Sequence, residues 1–272
     1  MDTLEQIRQA GEAEFRDKLD GLERRHRATL LAALEQYGHP RLIPDGVWVE
    51  IRREQEEELV AAYLLLMMAG DEWTAAELER QGVVAAAARS DAAYAMQAAR
   101  QAQRAAAATT DTLRDRLTRR VEDALASPTG GVGQVSTGDL RQALDDVLTP
   151  GRREGIAATE TTGALTTGQR AAAERAKGGD GATLADGQRV EIEMRWSTEQ
   201  DDRVCPRCSP LEGQPEEVWA LVFPDGPGED AHTNCRCSLS VHVIVLQSVG
   251  ESFRDRGAFD PTNHDIRESE SV

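Results

Sequence analysis

Five residues in the last third of the chain have the types and spacing of metal ligands. All four cysteines of the 272-residue sequence fall in one segment, as Cys205-Pro206-Arg207-Cys208 and later His232-Thr233-Asn234-Cys235-Arg236-Cys237. A Cys-x2-Cys pair turns two sulfurs toward one ion, and His232 with Cys235 repeats that spacing. Cys237 is a fifth candidate. Zinc takes four ligands in a structural site, so Cys205, Cys208 and Cys235 with either His232 or Cys237 would complete a tetrahedral shell. The interval between the two halves is longer than in common zinc ribbons. Disulfides among the same cysteines are the alternative wherever the surroundings are oxidising. Cys205 and Cys208 also have the spacing of a redox dithiol, but no helix start follows Cys208 as a thioredoxin-like site would need. A cysteine–histidine nucleophile would require an orienting third group and an oxyanion hole, and no sequence feature points to either.

The elements that must position these residues change character along the chain. Up to about residue 40, Leu4, Ile7, Phe15, Leu19, Leu22, Leu30, Leu34 and Tyr37 recur at helical spacing, with Gly11 and Gly21 expected to interrupt the stripe. A second helix is predicted over Val47 to Met68, broken at Gly70-Asp71, and a short one over Trp73 to Arg80. Val83 to Ala126 is alanine-rich and nearly free of glycine and proline, which predicts one or two long helices with small contact faces. Ser127 to Gly133 reads as a linker. Beyond it, Thr137 or Asp139 can cap a helix carrying Leu140, Leu144 and Val147, which Pro150-Gly151 would close. Arg152 to Lys177 predicts a further helix, with Gly163 and Gly168 weakening its continuity. The period then becomes two. Val190, Ile192, Met194 and Trp196 alternate with charged residues, and Leu239, Val241, Val243 and Val245 share one face of a second strand with His242 on the other. The stretch from about Gly250 is polar, as in a tail.

Composition bounds the function. Forty per cent of the residues are apolar but only 4% aromatic, a mix suited to packed helices. The net charge of −17 is repelled by phosphate and argues against a dedicated duplex-DNA binder. The cluster Arg114, Arg116, Arg119 and Arg120 reads as a solvated helix face. The start, Met1 to Gln6, is polar and acidic, unlike a signal peptide. The best apolar run, Leu59 to Ala69, is short for a bilayer span, so no membrane role is expected.

Read in order, the second half resembles the phage head morphogenesis family, the Mu F-like minor capsid proteins. Arg152 with Ile156-Ala157-Ala158-Thr159-Glu160-Thr161 resembles a family helix that usually reads Ile-Ala-Arg-Thr-Glu-Thr, with Ala158 in place of the arginine. Trp196, Asp201-Asp202-Arg203-Val204-Cys205 and Cys208 resemble the family's strand and first cysteine pair, and Leu211, Gly213 and Phe223 fit the interval after it. His232 to Cys237 resembles a terminal His-Pro-Asn-Cys-Arg-Cys signature, with Thr233 replacing proline. The likeness covers about residues 140 to 245. It implies a virion component in few copies, located inside the capsid near the portal and in host cytoplasm during assembly. The partners it implies are the portal protein, the scaffold and the major capsid protein.

The expected fold class is α+β: a helical N-terminal half followed by a smaller mixed α/β domain with a Cys/His cluster. The divisions are 1–126, a helical docking or self-association region; 127–138, a linker; 139–248, the Mu F-like domain; and 249–272, a polar tail. Cys205, Cys208, His232, Cys235 and Cys237 are the metal candidates. Glu160, Trp196, Arg203 and Arg236 are structural motif residues, with Glu160 expected to pair with Arg203 or Arg236. No catalytic residue is expected. The alternative is an injected phage effector enzyme that acts on a host target through the Glu160 helix.

Overall fold

The computed structural model describes residues 3–84, 90–126, 135–178, 181–199, 204–228 and 231–246. Most of the linker, the Asp201-Asp202-Arg203 loop and the polar tail lie outside them. The architecture is α+β, with a helical N-terminal half and a small three-stranded sheet in the C-terminal region.

Helix α1 spans Leu4–Tyr37 without a break. Thr3 and Gln6 form a reciprocal capping box that satisfies its first free N–H groups. Helix α2, Asp45–Arg80, is also continuous, so the helix expected over Trp73 to Arg80 is its last turns. Helix α3 covers Asp91–Ala126. Helix α4, Thr137–Val147, is capped by Ser136, with Asp139 closing the box from inside the helix. Pro150 opens helix α5, Pro150–Lys177, where its missing N–H and fixed φ are tolerated, and Thr149 caps it.

Of the glycines expected to break helices, Gly11, Gly70 and Gly168 mark close approaches instead, while Gly21 is open. A Cβ at Gly168 would lie 1.9 Å from the Met67 carbonyl oxygen, and one at Gly70 would lie 2.3 Å from the Leu165 carbonyl oxygen. α2 and α5 therefore cross backbone to backbone. An interior glycine costs about 1 kcal/mol relative to alanine. The packing gained along the α2–α5 contact outweighs that cost. Gly11 of α1 is buried on the same principle against Leu66 and Thr161. α2 has the length and composition of a membrane span, but Leu59, Ala62, Tyr63, Leu66 and Met67 are buried in a core shared with α1, α3 and α5.

Three hydrophobic clusters follow one another. One joins Phe15, Leu59, Tyr63 and Met67 to Ala98, Ala102, Ala164 and Leu165. A second joins Leu30, Trp48, Ile51 and Leu113 to Leu140 and Leu144. Helices from both sides of residues 127–138 thus share cores. Arg152 extends this junction: it donates to Glu23 of α1 at 3.1 Å and to the Thr109 carbonyl of α3 at 3.1 Å. The basic run on α3 is partly paired, with Arg114 to Asp45 at 3.1 Å and Arg120 to Asp146 at 3.9 Å.

The third cluster lies between α5 and the antiparallel sheet. Strand β1 is Ala182–Thr183, β2 is Arg189–Ser197 and β3 is Ser238–Val245, in the order β1-β2-β3. β2 buries Val190, Ile192, Met194 and Trp196, and its register sets Trp196 opposite Leu239. A short helix α6, Glu216–Trp219, adds Trp219 to this cluster.

The crossing predicts opposite outcomes for two glycine substitutions. Gly168→Ala should lose about 2–3 kcal/mol through overpacking against rigid backbone. Gly21→Ala, whose new methyl would meet only arginine side-chain ends at 3.7 Å or more, should gain about 0.5–1 kcal/mol. Denaturant titration of both variants measures the difference, and equal effects would exclude a backbone-to-backbone crossing.

Candidate metal centre

Two loops bring the cysteines together. The first follows β2 and folds into a tight turn, in which the N–H groups of Cys208 and Ser209 both donate to the Cys205 carbonyl at 3.0 Å. The Cys208 N–H also donates to the Cys205 sulfur at 3.3 Å. The second loop runs directly into β3. The Cys235 N–H donates to the His232 carbonyl at 3.2 Å, and Asn234 takes a left-handed φ of 65°. Asparagine tolerates that conformation better than most residues with a side chain.

Helix α5 holds the second loop in place. The Thr162 hydroxyl donates to the Cys235 carbonyl at 2.8 Å. The Asn234 N–H donates to the Thr159 hydroxyl at 2.9 Å, and that hydroxyl donates to the Gly155 carbonyl at 2.7 Å. Two turns further on, the Gln169 amide donates to the Leu239 carbonyl at 2.8 Å. Thr159, Thr162 and Gln169 recur at helical spacing, so one stripe of α5 carries all three contacts. Sequence reasoning missed these residues. The available signal was two threonines three apart, flanking Glu160 on a helix otherwise rich in glycine and alanine.

The five candidate ligands assemble as two triads that meet at Cys208. Ligand atoms of Cys205, Cys208 and His232 lie within 4.8 Å of one another, as do those of Cys208, Cys235 and Cys237. Tetrahedral zinc with Zn–S bonds of ~2.3 Å sets its sulfurs ~3.7 Å apart, so either triad needs only small adjustment around an ion. The four cysteines are free thiols, and none is joined in a disulfide. His232 has the tautomer of a ligand. Its Nδ1–H donates to the Thr233 carbonyl at 2.8 Å, which leaves the Nε2 lone pair facing the Cys208 sulfur at 3.2 Å. These groups can hold a metal ion.

Electrostatics within the buried triad point the same way. Hydrogen bonds from Cys208 and Cys237 hold the Cys235 thiol down to about 2. The hydrogen bonds that Cys208 gives to Cys235 and Cys237, together with burial, push its own thiol far up. Cys237 receives a favourable hydrogen bond from Cys208, yet the bond it gives Cys235 and its burial push it up to about 12. Adjacent sulfurs in a buried site oppose one another's ionisation. A divalent cation removes that opposition, because a coordinated thiol is deprotonated outright.

An aromatic wall backs the cluster. Trp196 stacks on Phe223 with ring centroids 5.5 Å apart and tilts against Trp219 at 6.1 Å. Arg207, between the first two cysteines, sits over Phe223 at 5.0 Å. Glu160 accepts a hydrogen bond from the buried Tyr63 hydroxyl of α2 at 2.5 Å. Its expected partner Arg203 lies outside the described residues. Arg236 is half-buried and borders a small cleft with Glu199, Cys205 and Cys237. Glu199 in turn meets Arg8 of α1 at 3.6 Å.

Comparison of the chain with family models, with curated proteins and with solved structures returned no match.

The threonine contacts predict that α5 guards the second cysteine loop. Thr162→Val keeps the shape and removes one buried hydrogen bond, for an expected loss of about 1–2 kcal/mol. The Cys235 thiol should then react faster with an alkylating reagent in metal-free protein. An unchanged alkylation rate would show that the hydroxyl does not hold the loop.

Proposed function

We propose that this chain is a structural phage protein, a minor capsid component of the head morphogenesis type, and that zinc closes its C-terminal region. The observation that carries the zinc reading is the convergence of five thiol and imidazole groups on Cys208, with a ligand-ready tautomer at His232. Zinc suits them because thiolate and imidazole ligands in a buried, closed shell are the structural zinc chemistry. Four of the five groups fill its coordination sphere, and Cys208 belongs to every set. Bound there, zinc would cross-link the turn after β2 to the loop before β3 and hold both against α5.

The virion role rests on the order of motifs. The Glu160 helix, the Trp196 strand and the two cysteine segments resemble the family in sequence, and they pack around one buried cluster here. The partners in this reading are the portal protein, the scaffold and the major capsid protein, with self-association through the N-terminal helices as a further contact. Glu160 serves packing rather than turnover. A carboxylate that is 7% exposed and bonded to a buried tyrosine is poorly placed to meet a substrate.

Elemental analysis with thiol counting tests the zinc reading. About one zinc per chain is expected, with loss of the metal on chelation accompanied by loss of cooperative unfolding. Metal-free protein with no free thiols would replace zinc by disulfides. Cys208→Ser or Cys235→Ser should abolish stable folding of the sheet region, whereas Glu160→Gln should lower stability and leave particle incorporation intact. Mass spectrometry of purified phage heads tests the location. Absence of the chain from the heads would refute the capsid role, and a host phenotype lost only in Glu160→Gln would favour the injected effector.

A further inference from the structure

Trp196 is wholly buried, and its indole nitrogen has no closed hydrogen bond. An orphaned buried donor costs about 1–3 kcal/mol, so such a group asks for an acceptor. The strand register shows which one. Trp196 lies opposite Leu239 on the inward face. Cys237 precedes Leu239 by two residues and keeps the same buried alternation, so it is the diagonal neighbour on that face. An indole reaches its diagonal neighbour across a strand pair, and the Cys237 sulfur is an acceptor at that position. A neutral thiol is a weak acceptor, whereas a thiolate is a strong one. The neighbouring Trp219, by contrast, already donates to the Met194 carbonyl at 3.2 Å.

We infer that Trp196 is a positioning residue of the metal centre, whose indole N–H donates to the Cys237 thiolate and so assigns Cys237 to the ligand set. The inference rests on the zinc reading above and extends it. A zinc centre with three or more thiolates carries net negative charge within an apolar wall, and donors around the sulfurs are what make that charge tolerable. The Cys205 sulfur receives the Cys208 N–H. Trp196 supplies the equivalent donor on the opposite side. With Cys208, Cys235 and Cys237 in the set, the remaining ligand comes from Cys205 or His232.

The test uses the full chain and zinc itself, titrated against a chromophoric chelator. Trp196→Phe keeps a large ring and removes the N–H, and zinc affinity should fall about 10- to 100-fold. Trp219→Phe removes a donor that faces a carbonyl, and it should lower thermal stability without changing zinc affinity. In a Cys237→Ala background, Trp196→Phe should no longer affect affinity. Wild-type protein that takes up no zinc would overturn the zinc reading and this inference with it. Zinc-binding wild type with unchanged affinity in Trp196→Phe would overturn this inference alone. Should Trp196→Phe fail to fold, the wild type loaded with 113Cd decides the matter. A scalar coupling between the Trp196 indole proton and cadmium is expected across N–H···S, and its absence would overturn the assignment.

Discussion

The fold depends on how closely α5 can be approached from two sides. On one side, Gly168 and Gly70 let its backbone touch that of α2, with no space left for a methyl group. On the other, Gly155 brings it near Thr233 and Asn234, and Thr159 and Thr162 bond to the cysteine loop. A helix of ordinary residues keeps its neighbours 8–10 Å from its axis. α5 gives up side-chain bulk to become a thin partition. The helical bundle and the sheet can then press on the same few turns of helix, and a shift of α5 would disturb both cores.

The thin partition also explains which features sequence reading caught. The strands were visible because their period of two is local: Val190, Ile192, Met194 and Trp196 need only one buried face. The metal candidates were visible because sulfur and imidazole are rare and their spacing is diagnostic. Helix continuity was not, since Gly11, Gly70, Gly163 and Gly168 each lower intrinsic propensity and nothing local shows what offsets it. For Gly70 and Gly168 the offset is a backbone contact with a helix about a hundred residues away. The cap of α4 shifted for a smaller reason. Ser136 and Asp139 satisfy each other, and a single-residue search for a capping group finds only one of them. Glu160 is legible as a motif residue, but Tyr63, which donates to it, sits on α2, too far away in sequence for any local pattern to show the contact.

The sheet is too small to stand alone. Three strands, one only two residues long, bury a single face and leave Ile244 and Val245 partly exposed at the end of β3. Its order comes from what covers that face. Trp196, Trp219 and Phe223 supply apolar area, and Gln169 of α5 and Gln81, just past the end of α2, satisfy carbonyls of β3. The buried thiols are the weak point of this cover. Cys208, Cys235 and Cys237 contribute as small hydrophobes while protonated, yet their hydrogen bonds draw one of them into ionising. A buried charge without a counter-charge opposes folding.

A cation at the cluster turns that weak point into a restraint. Metal-free, the three sulfurs compete for protons, and the arrangement is stabilised only by the hydrogen bonds around it. With a divalent ion their charges become attractive terms, and the loops before β3 and after β2 lose the freedom to separate. Most of the residues that would benefit are not ligands. Thr159 and Thr162 would hold a fixed loop rather than a loose one, and the Trp196 N–H would face a permanent thiolate. A donor that is orphaned in a buried wall makes little sense as packing, since phenylalanine would fill the same space without the penalty. It makes sense beside a sulfur that carries charge whenever the protein is in its working state.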